Sequence, residues 1–421
     1  MQLSSLLLRR DADAIWHPFT QVGRSMAPLP VVSAKGAYLH LEDGRKILDG
    51  ISSWWCNLHG HSHHEIVSAI SKQAGTLDHV LFGGCTHPPA VELAEKIQLG
   101  LGIKCGKVFY SDNGSTAVEV ALKIALQRWK NRGDTRIKIF ALENAYHGDT
   151  FGAMAVGARG VFSAPFHDLL FAVERLPVHR DERALDGYLR ACKSGTVAAF
   201  IFEPLVQGAG GFVMYPQSVL EEYLKISRQY GVITIADEVM TGFGRTGTLF
   251  VSSCLATFPD LICLSKGLTG GSLPLAATVC REEIFQDFIS TDHSKTFFHG
   301  HTYTANPIAC AAALASWNLS TNPACSEARE RIQSRHRSFV QSLGEKAEEM
   351  QARVAGTILA LNIRNQTEYD YKDPIGEKVA QHCLSRGVLL RPLGDVLYFM
   401  PPYCVTDEEL TLVYSVVREF I

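Results

Sequence analysis

Val232-Ile-Thr-Ile-Ala236-Asp237-Glu238 and, further along, Leu261-Ile-Cys-Leu264-Ser265-Lys266-Gly267 decide the fold. Each is a short run rich in branched apolar residues, with charge only at its C-terminal end. Runs of this length with no exposed polar face suit strands of a parallel sheet covered on both sides. Working outward, similar runs stand at 107–111, 137–142 and 197–202, the last ending in Glu203-Pro204. Helical spacing lies between some of them, in Val118, Ala121, Leu122, Ala125 and Trp129 and again over 220–229. Strand–helix alternation predicts an α/β fold with a mostly parallel, doubly wound sheet. Ligands in such sheets sit beyond the carboxyl ends of the strands.

The flanks read differently. Residues 1–62 carry short strand-like pieces, such as 37–41 before the turn Asp43-Gly44. We assign them to an N-terminal segment that contributes to a smaller domain. Residues 63–318 form the large domain, with a long helix from about 305 to 320. Residues 319–421 form a smaller α+β domain, with loops at Lys372-Asp373-Pro374 and Arg391-Pro-Leu-Gly394. Ser62-His63-His64-Glu65 and Thr116-Ala117-Val118-Glu119 both read as capping boxes. The first predicts a helix with Ile66, Val67, Ile70 and Ala74 on one face.

Composition narrows the function classes. A chain of 421 residues with 46% hydrophobic and 20% charged residues has enough apolar material for one large core. A net charge of −3 supplies no basic field for nucleic acid or an anionic membrane. No apolar stretch is long enough to span a bilayer, and the first ten residues place their arginines after the leucines, unlike a signal peptide. The eleven cysteines are odd in number and contain no C-x-x-C pair, so we expect free thiols in a reducing, cytoplasmic compartment.

The strand ends carry the chemistry. In a parallel sheet, Glu203, Asp237 and Lys266 converge on one edge. A lysine and an aspartate at the floor of one cleft is what pyridoxal phosphate (PLP) requires: the amine holds the cofactor as a Schiff base, and the carboxylate keeps the pyridine nitrogen protonated. Taken alone, Lys266 reads as a surface lysine and Asp237 as a helix cap; polar ends on two separate apolar strands tell against that. Gly114-Ser115 opens a helix, and helix N-termini bind phosphate, although both residues are also common caps. Tyr146 follows a strand and could stack on a pyridine ring or simply fill core. The stretch His59-Gly-His-Ser-His-His64 lacks metal-ligand spacing, so no metal is expected.

Two longer segments carry a resemblance. Thr234-Ile-Ala-Asp-Glu-Val-Met-Thr-Gly-Phe-Gly-Arg-Thr-Gly247 and Leu264-Ser-Lys-Gly-Leu-Thr-Gly-Gly271 resemble the signature of class III aminotransferases, as does the 29-residue step from Asp237 to Lys266. The resemblance runs from about Trp16 to Tyr403. It implies the fold-type I architecture of PLP-dependent transferases and a homodimer. Within the class, the chain is most similar to the adenosylmethionine-8-amino-7-oxononanoate aminotransferases of biotin biosynthesis. The segments responsible are Trp16-His-Pro-Phe-Thr-Gln21, Ser52-Ser-Trp-Trp55, Phe82-Gly-Gly-Cys-Thr-His-Pro-Pro-Ala90, Tyr146-His-Gly-Asp-Thr-Phe-Gly-Ala-Met154, Arg391-Pro-Leu-Gly394 and Leu397-Tyr-Phe-Met-Pro-Pro-Tyr403.

That resemblance implies transamination of 8-amino-7-oxononanoate to 7,8-diaminononanoate, with S-adenosylmethionine as donor, in two half-reactions at one site. Lys266 is then the Schiff-base lysine and proton shuttle, Asp237 the partner of the ring nitrogen, and Tyr146 the stacking residue. Gly114 and Ser115 hold the phosphate, with Thr302 from the neighbouring subunit. Trp54, Trp55, Phe19, Gly300 and Tyr398 line the substrate site, Asp149 and Arg245 support it, and Arg391 binds the substrate carboxylate. Phe19 and His301-Thr-Tyr303 depart from the pattern of members that use adenosylmethionine, which have Tyr and Pro-Thr-Phe there; members that use lysine tend to show Phe and His-Ser-Tyr. The alternatives are therefore lysine as donor, or another class III aminotransferase acting on an ω-amino acid. The pair Trp54-Trp55 and the Arg391 loop argue against the latter.

Overall fold

A computed structural model of the chain describes residues 5–23, 27–103, 106–364 and 371–421. Its centre is a seven-stranded sheet in the order Lys107–Ser111, Ala276–Cys280, Leu261–Leu264, Ile233–Asp237, Val197–Phe202, Lys138–Leu142 and Glu174–Leu176. Neighbours run parallel except around Ala276–Cys280, which is antiparallel to both of its partners.

Both faces of the sheet are covered, as unbroken apolar runs require. Alternate residues point to opposite faces. Ala199, Ile201, Ile233, Ile235, Leu261 and Cys263 pack with the helix Gly114–Asn131 in one core cluster. Phe200, Phe202, Ala236, Ile262 and Leu264 belong to another, which continues into the C-terminal part of the chain. The Trp129 indole, buried on that helix, donates to the Ala198 carbonyl at 2.9 Å.

A second sheet joins the two ends of the chain: Val31–Lys35, Tyr38–Leu41, Lys46–Asp49 and, parallel to the last, Val388–Leu389. A third pairs Arg353–Ala355, Ile358–Asn362 and Val396–Phe399. The helix expected near 305 is Pro307–Ser320, capped by Asn306; a second, Pro323–Ser342, follows it.

Several local expectations are corrected. The helix starts at Gly114 as expected, but Thr116 and Glu119 do not form its capping box: Asn113 is the cap, accepting from the Thr116 N–H at 3.0 Å. Glu119 accepts instead from the N–H groups of Gly152 and Ala153. No capping box forms at Ser62. The helix His64–Ala74 has His63 at its cap with no side-chain bond, and the Ser62 hydroxyl donates to the Ala34 carbonyl. On that helix Ile66 is buried, but Val67 is 48% exposed and Ala74 is exposed as well. Sequence spacing placed these residues on one face without knowing how narrow a stripe the neighbouring helix covers.

Candidate active site

The registers that pair Ala236 with Phe202 and Asp237 with Cys263 bring three strand ends side by side. Lys266 follows its strand in a tight turn with φ +38°, a conformation costly for any residue with a side chain. With Trp55, Gly114, Ser115, Tyr146 and Asp237, it lines a cavity of about 460 Å³.

Asp237 is 5% exposed. One carboxylate oxygen accepts the Val239 N–H at 3.0 Å, and the other lies 2.7 Å from Nδ1 of the fully covered His147. Burial lowers the pKa of the Lys266 amine, against the opposing pull of Asp237 and Glu203. Its Nζ stands 5.0 Å over the Trp55 ring. Glu203 is buried, and burial pushes its pKa up to about 7. Its two oxygens accept the N–H groups of Tyr146 at 3.0 Å and Gly208 at 2.9 Å, tying the Tyr146 loop to the sheet edge. Burial raises the Tyr146 hydroxyl, and the Asp149 carboxylate that accepts its hydrogen bond raises it further.

At the other end of the cavity the helix Gly114–Asn131 presents its first turn, whose N–H groups have no acceptor within the helix. Ser115 Oγ accepts the Asp149 N–H at 3.2 Å. Gly148 crosses here with φ +125°, and a Cβ on it would lie 2.0 Å from Ser115 Oγ. Only glycine allows this close passage.

An aromatic wall leads away from the amine. Trp55 packs edge-on against Phe212 and Tyr398. Trp54 carries the Arg391 guanidinium on its face at 4.3 Å and meets Phe19 at 5.2 Å. Among the described residues Arg391 otherwise donates only to the Phe19 carbonyl, at 3.5 Å, and has no carboxylate partner. Phe162 joins the segments: its ring lies 5.8 Å from Tyr146, 6.1 Å from Phe19 and 4.5 Å from Tyr371. Arg245 is buried beneath the wall, donating to the carbonyls of Pro401 at 2.7 Å, Trp55 at 3.3 Å and Asn57 at 3.5 Å.

The structure therefore gathers Lys266, Asp237, Tyr146, Gly114, Ser115 and Trp55 in one cavity, with Asp149, Trp54, Phe19 and Arg391 along its approach. Tyr398 is not among the residues that line this cavity: it is 1% exposed and packs edge-on against Trp55 at 5.9 Å. Thr302 and Gly300 do not line this chain's cavity; both sit on an exposed turn, where His301 Nε2 lies 3.3 Å from Asp112. Sequence reasoning missed His147, Phe162 and Tyr371. His147 adjoins the Tyr146 motif, which was the available signal; Phe162 and Tyr371 carried none. In the histidine stretch, His59 bonds to Ser316 and Ser320, and His61 to Asp49 and Asn57.

PLP needs a lysine amine, a carboxylate at the depth of the ring and a cup of N–H and hydroxyl donors for its phosphate. The cavity offers all three, and the glycine passage at 148 leaves Ser115 unobstructed, so the residues fit this cofactor. The family described as aminotransferase class-III matches residues 19–421. An adenosylmethionine-8-amino-7-oxononanoate aminotransferase of Synechococcus elongatus is 48% identical, over 97% of this chain and 98% of the relative. The crystal structure of the enzyme so named from Methanocaldococcus jannaschii superposes with a TM-score of 0.91 at 35% identity, covering 99% of both chains. An amine transaminase from an uncultivated Pseudomonas species, solved in its PLP-bound form, gives a TM-score of 0.88 at 30% identity over 96% of this chain and 97% of its own. The chain belongs to the class III aminotransferases, a family of PLP-dependent enzymes.

Proposed function

We propose that this protein transfers an amino group from S-adenosylmethionine to 8-amino-7-oxononanoate, giving the 7,8-diamine used in biotin biosynthesis. The observation that carries the reading is the Arg391 guanidinium, unpaired among the described residues and held on the Trp54 face. An aromatic wall ending in a guanidinium with no carboxylate partner among the described residues suits a long apolar chain that ends in a carboxylate. The same wall suits the sulfonium cation of the donor, because ring faces attract cations. The relatives from Synechococcus elongatus and Geobacter sulfurreducens both bear the name of this activity.

In this reading the bound PLP supplies an electron sink for charge developing at the substrate carbon. Lys266 Nζ takes the substrate Cα proton and returns it, a task for which burial has lowered its pKa. Asp237, braced by His147, holds positive charge at the ring nitrogen. Gly114 and Ser115 bind phosphate, Tyr146 covers the ring, and Asp149 and Arg245 support the pocket. Trp54, Trp55 and Phe19 exclude water along the substrate chain. Gly300 and Thr302 act in the site of a second copy, which makes the working unit a homodimer; their exposure, beside Phe298 at 73% and Tyr303 at 58%, supports this. We place the enzyme in the cytoplasm, in keeping with ten described cysteines that are all unpaired.

The test is a half-reaction. The purified holoenzyme is mixed with S-adenosylmethionine alone and, separately, with lysine alone, while the absorbance of the bound cofactor is followed. Loss of the absorbance with adenosylmethionine is expected. A response to lysine alone would replace the donor and make Phe19 its marker. If neither amine acts, the biotin assignment fails.

A further inference from the structure

The backbone that presents the two tryptophans is unusual. Ser52, Ser53, Trp54 and Trp55 all have positive φ, at +50°, +58°, +148° and +73°. Each such residue is unfavourable on its own, and a run persists only where its surroundings dictate it. Regular structure does not provide what this run provides. Successive side chains diverge on a helix and alternate across a strand. Here Trp55 lies under the Lys266 amine while Trp54 lies under the Arg391 guanidinium, so adjacent residues serve both ends of one channel.

The Ser52 hydroxyl donates to the Met400 carbonyl at 2.8 Å and Arg245 to the Trp55 carbonyl; the carboxylate that ties down the middle of the run is Asp49, at the end of the strand Lys46–Asp49 and 0% exposed. One of its oxygens accepts the Ile51 N–H at 3.2 Å. The other accepts the Ser53 hydroxyl at 3.0 Å and lies 2.9 Å from His61 Nε2. On the far side of the imidazole, the Asn57 amide lies 3.1 Å from Nδ1. An N–H donated by Asn57 to Nδ1 places the ring proton on Nε2, facing the carboxylate. His61 is itself anchored, exchanging backbone hydrogen bonds with Gly36 at 3.1 and 2.7 Å. A buried carboxylate with this many donors is rigid, and losing one donor leaves it short of a partner.

We infer that Asp49 and His61 are positioning residues: they lock the 52–55 backbone, and through Trp54 and Trp55 they set the enzyme's affinity for long-chain carboxylate substrates. The inference gives His61 of the histidine stretch a structural task with no metal. It rests on the proposed reading that substrate lies along Trp54 toward Arg391.

The experiment compares His61→Ala, His61→Gln, Ser53→Ala and Trp54→Leu holoenzymes, with 8-amino-7-oxononanoate as the varied substrate. Loss of a hydrogen bond to a buried charge corresponds to roughly 10-fold or more in equilibrium terms. His61→Ala should therefore raise KM about 10-fold, with kcat within about threefold of the parent and the cofactor absorbance unchanged. Ser53→Ala should move KM the same way by a smaller factor, and it decides the matter if His61→Ala does not fold. His61→Gln, whose amide can still donate to Asp49, should recover most of the affinity. A purely structural role would instead lower kcat and the yield of active protein with KM unmoved. Parental KM in both His61→Ala and Ser53→Ala, alongside a raised KM in Trp54→Leu, overturns the inference. A parental KM in Trp54→Leu overturns the channel reading instead; near-UV circular dichroism of His61→Ala then still reports whether the tryptophan segment has moved, and an unchanged spectrum overturns the positioning role.

Discussion

Gly148→Ala tests the phosphate end of the site with one methyl group. The added Cβ would sit 2.0 Å from Ser115 Oγ, 2.6 Å from its Cβ and 2.9 Å from its Cα. Because two of those atoms belong to the first turn of a helix, no rotation of the Ser115 side chain relieves the contact. Either Ser115 or the 146–149 loop must shift by more than about 1 Å to reach van der Waals separation. The backbone also sits at φ +125°, which adds about 1–3 kcal/mol of strain for an alanine. A displaced Ser115 forfeits one hydrogen bond to a charged phosphate, about 1.5–3 kcal/mol, or roughly 10- to 150-fold in cofactor affinity. The assay is titration of the apo-protein with PLP, read by the absorbance of the bound cofactor. Gly133→Ala is the control: its φ is +73° but nothing lies within 4 Å, so it carries strain without the clash. Affinities for PLP that match within twofold in Gly148→Ala, Gly133→Ala and the parent would refute the placement of phosphate at Ser115.

Two further outcomes follow from groups elsewhere. His336 is 0% exposed; its Nδ1 lies 2.8 Å from the Tyr414 hydroxyl and its Nε2 lies 3.2 Å from the Thr357 carbonyl. Burial pushes its pKa down to about 4, and that of His59 to about 3, from 6.5. The unfolded chain therefore takes up protons first, and stability present above pH 6.5 is lost as pH falls toward 4, at up to about 1.4 kcal/mol per pH unit for each group. His336→Asn should flatten the dependence of melting temperature on pH between 6.5 and 4; curves parallel to the parent would refute this. Arg391→Ala should raise KM for the keto substrate roughly 10- to 150-fold, with kcat much less affected. Arg391→Lys should recover part of the loss, because it keeps the charge but not the planar fork. An unchanged KM in steady-state kinetics would move the carboxylate site elsewhere.

Much of the cavity floor was legible in the amino-acid sequence, and for a local reason. A parallel strand buried on both faces must be apolar throughout, so Asp237 and Lys266 stand out as charges placed just where each strand meets the cavity. The chain also declares its strand–helix alternation directly. The antiparallel strand Ala276–Cys280 was not legible, because an apolar run carries no mark of its direction. The helix start at Gly114 was legible but its cap was not: Asn113 and Thr116 both suit the role, and Glu119, which the sequence pairs with Thr116, is instead taken up by the 150–153 backbone. The aromatic wall was visible as residues but not as a surface. Trp54 and Trp55 stand on a run of four residues at positive φ, tied down by Asp49 at Ser53 and by the Met400 carbonyl at Ser52, a conformation that no local preference of Ser or Trp would select. Phe162 and Tyr371 meet from segments some two hundred residues apart. Periodicity and strand-end charge are properties of neighbouring residues, so the sequence determines them by itself. Which distant side chains share one cavity depends on how the covered sheet closes against the two ends of the chain, and that only the tertiary structure decided.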